Sequence, residues 1–187
     1  VLPFSYDINF NLYIVGHICL AAGNCFLCAR RWGVGFHGAV FAALAYTMSG
    51  SVLFQYCNPV FLVGASWLPL AFLAIDRMLR LNSTGAAVLL GSVLAMMTLG
   101  GDPQSAYHAG LAAIVYALIL LHRDWQSVGF ASRSRGSFWR SQELIIWCRR
   151  CGLIIAAGLV GGLLAAVQIL PSWFWTRQSD REFYEHP

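Results

Sequence analysis

The polar side chains best placed for chemistry gather around one proline. Asp102-Pro103-Gln104 opens a largely apolar stretch, and His108 follows Gln104 by four residues. Aspartate before proline is a favourable helix start, because the carboxylate accepts from the first free N–H groups and proline is already set for the first helical position. That accounts for two of the three residues. Gln104 and His108, at i and i+4, share a helix face, so an amide and an imidazole align below the capping carboxylate. Three groups so arranged can bind a sugar hydroxyl or a phosphate-linked head group. Gly100 and Gly101 just before them permit a sharp turn and a close backbone approach. His17 is a second histidine set inside an apolar run. Taken singly, each of these residues also has an ordinary reading as a cap or an interfacial side chain.

The cysteines offer a different chemistry. Cys25-Phe26-Leu27-Cys28 and Cys148-Arg149-Arg150-Cys151 are two C-x-x-C pairs, enough thiolates for a zinc site. A regular helix does not supply the knuckle turn zinc prefers, and the first pair is embedded in hydrophobic sequence. Small buried or interfacial thiols are therefore the expectation, with no metal. Reduced thiols are the default, since Cys19, Cys25, Cys28 and Cys151 lie in or against apolar runs. Asn82-Ser83-Thr84 matches a glycosylation acceptor, but on the side assigned below to the cytoplasm.

The elements that must position these groups are lipid-soluble. Of 187 residues, 58% are hydrophobic and 11% charged, and the mean hydropathy is +0.63, far from the roughly quarter-charged composition of a soluble domain. Apolar runs cover 10–29, 36–56, 60–75, 84–101, 105–121 and 151–170, each near the ~20 residues that cross a hydrocarbon core. They are apolar almost all round, without the polar face a soluble helix needs. The expected fold is all-α: a polytopic integral membrane protein with about six transmembrane helices, forming a single transmembrane domain over 1–187.

All 12 cationic residues are arginine. Arg30 and Arg31, Arg77 and Arg80, and the set Arg123, Arg133, Arg135, Arg140, Arg149 and Arg150 fall in alternate connections, while those around Asn58-Pro59 and Gly101-Asp102 carry none. The positive-inside rule makes the arginine-rich connections cytoplasmic and puts both ends of the chain on the other side, in a multi-pass protein. Arg177 and Arg181 are the exceptions, in a tail that also holds Asp180, Glu182 and Glu185. His17 and His108 then belong to the outer half, as do Ser49, Ser51, Gln55, Asn58, Asp102, Gln104 and Gln168, which points to a polar cavity open to the outside. No carboxylate or arginine is expected at mid-membrane, which counts against a proton-coupled transporter. The segment 122–150 reads as a cytoplasmic linker with a basic, flexible middle and a short interfacial helix over 142–150. Trp173, Phe174 and Trp175 form an aromatic belt. The start at Val1 and the stop at Pro187 read as those of an internal fragment. Nothing in the composition suggests a nucleic-acid partner.

Several stretches together resemble a known group. His17 with Leu20-Ala21-Ala22, Arg30-Arg31-Trp32-Gly33, Ala45 to Gly50, Asn58-Pro59, Trp67-Leu68-Pro69-Leu70, Gly101-Asp102-Pro103-Gln104 and Gln178-Ser179-Asp180-Arg181 look like the YfhO-type bacterial membrane proteins. The resemblance spans nearly the whole chain, although the family more often shows His-Pro-Gln where this chain has Asp102-Pro103-Gln104. It implies a GT-C-like glycosyltransferase in the bacterial inner membrane. Such an enzyme takes a sugar from a polyprenyl-phosphate carrier, the lipid-linked donor, and adds it to an envelope polymer or lipid on the outer face. Membrane lipid, carrier and acceptor are the partners implied, and no other cofactor is evident. The resemblance implies substrate contacts at Asp102, Gln104, His108, His17 and Arg181, with the catalytic carboxylate in an external loop upstream of this piece. Asp7 is the only carboxylate before the first run, and no family motif surrounds it. A transporter or flippase for a lipid-linked envelope precursor is the alternative, and a structural subunit of a membrane complex is a third.

Overall fold

The computed structural model describes residues 5–131 and 137–178, and every element in them is helical. The first run lies in α1 (Tyr6–Arg31). The second is broken into α2 (Phe36–Thr47) and a short α3 (Gly50–Leu53) that continues as a 3₁₀ turn, Phe54–Cys57. The remaining four lie in α4 (Pro59–Leu81), α5 (Thr84–Leu99), α6 (Pro103–Ala131) and α7 (Ser137–Gln178). Arg133, Arg135, Asp180, Arg181, Glu182 and Glu185 fall outside the described residues.

Two differences from the sequence expectation have local causes. The second run bends by 52° at its break, where Thr47 Oγ1 donates to the Ala43 carbonyl at 2.9 Å and Ser49 Oγ to that of Tyr46 at 2.6 Å. Hydroxyls that compete for helical carbonyls, followed by Gly50, end one helix and redirect the next. In the polar segment 122–150 the expected helix over 142–150 is present, but helix also covers 122–131 and 137–141, because Ser137 to Arg150 contains good helix formers and no proline or glycine to stop α7 short of the sixth run.

The cross-links between helices set their directions. Asn24 Nδ2 donates to the Ser66 carbonyl at 2.8 Å and Arg31 pairs with Asp76, so α1 and α4 rise together. Asp102 sits beside Gly64 and Tyr116 beside Asp76, so α6 rises with them. Gly91 meets Gly161, and Gln168, its amide nitrogen turned toward the Thr98 and Leu99 carbonyls at 3.2 Å, follows α7 seven residues on, so α5 and α7 form a second parallel pair. Arg31, Arg80 and Arg150 consequently meet at one end of the bundle, where Arg150 Nε donates to the Leu79 carbonyl at 3.0 Å. Helix α4 is the hub: α1, α2, α6 and α7 each deliver a polar side chain to it.

Pro69 shows how this hub is satisfied. A proline inside a helix has no N–H for the carbonyl four residues back, here Ala65. Tyr46 of α2 donates its hydroxyl to that carbonyl at 2.8 Å. Tyr46→Phe leaves the carbonyl unanswered in an apolar setting, an expected loss of about 1–3 kcal/mol, read as a lower unfolding midpoint in detergent. Tyr46→Phe combined with Pro69→Ala, which restores the helical N–H, should recover part of it.

Packing is inverted relative to a soluble protein. Ala21, Ala39, Ala71 and Ala74 are fully buried, and Ala157, Gly161 and Ala165 form a buried seam on α7, while Leu163 is 75% exposed and Val167 and Phe41 are 73% exposed. Small residues inside let helix backbones approach closely, and large apolar ones outside suit lipid, whereas water tolerates only limited apolar patches. Three described helical stretches, Tyr6–Arg31, Pro59–Leu81 and Ile145–Thr176, are long and apolar enough to cross a bilayer, and the bent α2–α3 pair makes a fourth if counted as one span. These features are those of a multi-pass membrane protein.

Candidate functional site

Asp102 is placed by two local devices. The end of α5 closes in a Schellman pattern: Gly101, at φ +93°, donates to the Thr98 carbonyl and Asp102 N to that of Met97, each at 3.0 Å. Asp102 Oδ1 then accepts from Ser105 N at 2.9 Å and caps α6, with Pro103 at its first position. A Cβ on Gly100 would collide with Val63, so the close approach expected of this glycine pair is present. The other carboxylate oxygen, Oδ2, is buried with no hydrogen-bond partner among the described residues, although the residue is 2% exposed. It lies where a side chain on Gly64 would begin, with Ser105 Oγ alongside. A buried carboxylate oxygen of this kind calls for a donor, from a proton, a water or a ligand.

Of the other sequence-derived candidates, Gln104 and His108 are exposed on α6, with the His108 ring 5.7 Å from that of Tyr107. Among the described residues no hydrogen bond joins Asp102 to either. His17 is half-buried on α1, its ring 4.2 Å from the Tyr13 ring and its Nδ1 2.9 Å from the Tyr13 carbonyl oxygen. Helix α1 packs mainly on α2 and α4. Arg181 lies outside the described residues. Cys25 donates to the Ala42 carbonyl at 3.6 Å, Cys28 is buried, and Cys148 and Cys151 are exposed. Among the described residues no three His, Cys, Asp or Glu side chains converge to hold a metal ion.

The reading of the chain did not anticipate a second site. Asp76, expected to lie just past the third run, is buried inside α4, about 18 Å along the helix from Gly64. Its Oδ1 accepts from Arg80 Nε at 2.7 Å and from the Tyr116 hydroxyl at 2.9 Å, and its Oδ2 lies 3.7 Å from Arg31 Nε. Arg80 Nε also reaches the Tyr116 hydroxyl, at 2.7 Å. Asp76 stands near the arginine-rich end of α4 rather than at mid-membrane; the third run was expected to stop before it, and α4 instead stays helical through Leu81 and folds it under the guanidiniums. The group lines a cleft of about 690 Å³ that also includes Trp32 and Phe72. A signal was available: Asp76 and Arg80 are spaced i, i+4, and Asp76 is the one carboxylate among the arginines at the end of α4. Its distant partners, Arg31 and Tyr116, carry no sequence mark.

No protein-family model, no curated protein and no solved structure matches the chain.

Proposed function

We propose that this chain is part of a GT-C-like glycosyltransferase of the bacterial inner membrane, similar to the YfhO-type proteins, with about six spans and its arginine-rich end in the cytoplasm. Helices α5 and α6, neither of them among the three long apolar spans, complete the six: α5 has 16 residues, about 24 Å of helix, so the bilayer thins locally around it. A sugar carried on polyprenyl phosphate is the donor and an envelope polymer or lipid the acceptor. The observation that carries this reading is Asp102: a buried carboxylate with one oxygen unanswered among the described residues, at the end of the bundle away from Arg31, Arg80 and Arg150. A sugar hydroxyl supplies the donor that Oδ2 lacks. Gln104 and His108 stand on the exposed face of the same helix and contact the rest of the lipid-linked substrate, with His17 and Arg181 as further contacts. The catalytic carboxylate is supplied from outside this chain.

The test is a full-length protein carrying Asp102→Ala, Gln104→Ala and His108→Ala. It should insert at wild-type level and transfer at least ~100-fold less sugar, the size of effect a lost set of positioning contacts produces. Unchanged envelope glycan would remove the assignment.

The second reading is a transporter or flippase for a lipid-linked envelope precursor, favoured by the ionisable group buried in α4 at Asp76. In purified form such a protein moves its substrate across liposomes with no sugar transfer.

A further inference from the structure

The cleft at the arginine-rich end lies about 18 Å along α4 from the Asp102 site and has its own chemistry. Its groups are built into the fold. Arg31 is the last residue of α1, fixed by a Schellman turn in which Gly33, at φ +85°, donates to the Arg30 carbonyl at 3.2 Å and Val34 N to that of Ala29 at 3.1 Å. Arg80 lies one turn beyond Asp76 on α4, with its guanidinium carbon 5.9 Å from the centre of the Tyr116 ring. Arg30, the next cation, is turned aside to the Val34 carbonyl at 3.1 Å.

Charge balance makes this more than a cross-link. Tying α1, α4 and α6 together needs one guanidinium on Asp76, yet two meet it, leaving one net positive charge. Both approach the carboxylate through Nε. The terminal nitrogens of Arg31 and Arg80, the pair that grips an oxyanion in a fork, make no hydrogen bond outside this cluster among the described residues. Asp76 is buried while Arg31 and Arg80 are 38% and 53% exposed, so the carboxylate lies beneath and the cations face the opening. Trp32, 61% exposed, stands at the rim beside them, where an indole suits the boundary between lipid and water.

We propose that this cleft binds a phosphodiester monoanion, held by the terminal nitrogens of Arg31 and Arg80, with Asp76 and Tyr116 orienting the two guanidiniums. One net positive charge matches one phosphodiester charge. The shared chemistry could come from the head group of an anionic phospholipid or from a soluble phosphate ester.

The test uses the purified full chain in nanodiscs. One arm compares retention of phosphatidylglycerol and phosphatidylcholine by native mass spectrometry. The other adds dimethyl phosphate to phosphatidylcholine discs and follows its phosphorus NMR line width. Wild type should keep phosphatidylglycerol about tenfold over phosphatidylcholine, or broaden dimethyl phosphate, and the arm that responds names the source. Arg31→Gln with Arg80→Gln should abolish the response, while Arg77→Gln, an exposed cation outside the cleft, should keep it. If the double variant does not fold, wild type alone decides, because a bound phosphodiester should shield Arg31 and Arg80 from phenylglyoxal. No response in either arm, a response surviving the double substitution, an equal loss with Arg77→Gln, or equal labelling with and without phosphodiester would each overturn the proposal.

Discussion

Gly91→Leu is expected to cost at least ~3 kcal/mol of bundle stability, because the contact it breaks is backbone against backbone. A Cβ on Gly91 would stand 2.6 Å from the Ala157 carbonyl oxygen and 2.7 Å from Val160 Cβ, while one on Gly161 would stand 3.1 Å from the Gly91 carbonyl oxygen. Neither obstacle is a side-chain tip able to swing away, so α5 and α7 must separate along the most extensive helix–helix contact among the described residues. In lipid, helices gain nothing from hydrophobic exclusion and depend on this close packing, so the loss has no easy compensation. Unfolding of the purified protein in micelles with increasing SDS gives the measurement. Gly158→Leu and Gly162→Leu are the controls: a Cβ at either meets nothing within 4 Å, and each should stay within ~0.5 kcal/mol of wild type. Equal loss in the controls would mean that the seam is not what holds the two helices.

Gly64→Ala should be nearly as damaging, by about 2–4 kcal/mol, through a different route. The new methyl would occupy the place of Asp102 Oδ2 and come within 2.9 Å of Ser105 Oγ. The carboxylate cannot simply rotate, because its other oxygen holds Ser105 N at the start of α6. Overpacking at such a site costs about 1–3 kcal/mol, and a lost cap about 1 more. A double-mutant cycle separates the two: Asp102→Ala removes the obstacle, so the pair together should cost less than the sum of the singles by at least ~1 kcal/mol. Additive losses would show that Gly64 and Asp102 do not compete for one space. The same cycle bears on the proposed sugar site, since glycine at 64 is what allows a carboxylate to be buried there.

What the sequence revealed, and what it hid, follows from the range of the interactions. The apolar runs, the Asp-Pro cap at Asp102 and the glycine turn before it are local effects, and the structure has them where spacing put them. The break after Thr47 was partly visible as Thr47-Met48-Ser49-Gly50-Ser51, but a continuous apolar count outweighed it. The helix over 122–131 and 137–141 was hidden because polarity outweighed helix propensity there. The exposure of Gln104 and His108 could not be read, because i, i+4 spacing shows that two residues share a face and not which way that face turns. The Asp76 group was the largest omission. Its partners arrive from α1 and α6, 45 and 40 residues away in the chain, and pairing at that range is set by which helices pack together.

The position of α4 as hub has a consequence for biogenesis. It leaves the ribosome after α1 and α2, yet the Ala65 and Ser66 carbonyls and Asp76, to which those two helices attach, are all on it. The first two hairpin partners must therefore wait in the translocon's vicinity with Asn24 and Tyr46 unsatisfied, open to capture by a chaperone or to quality-control proteolysis. Delivery of α4 ends that vulnerable interval, and the later helices then dock onto a template already formed.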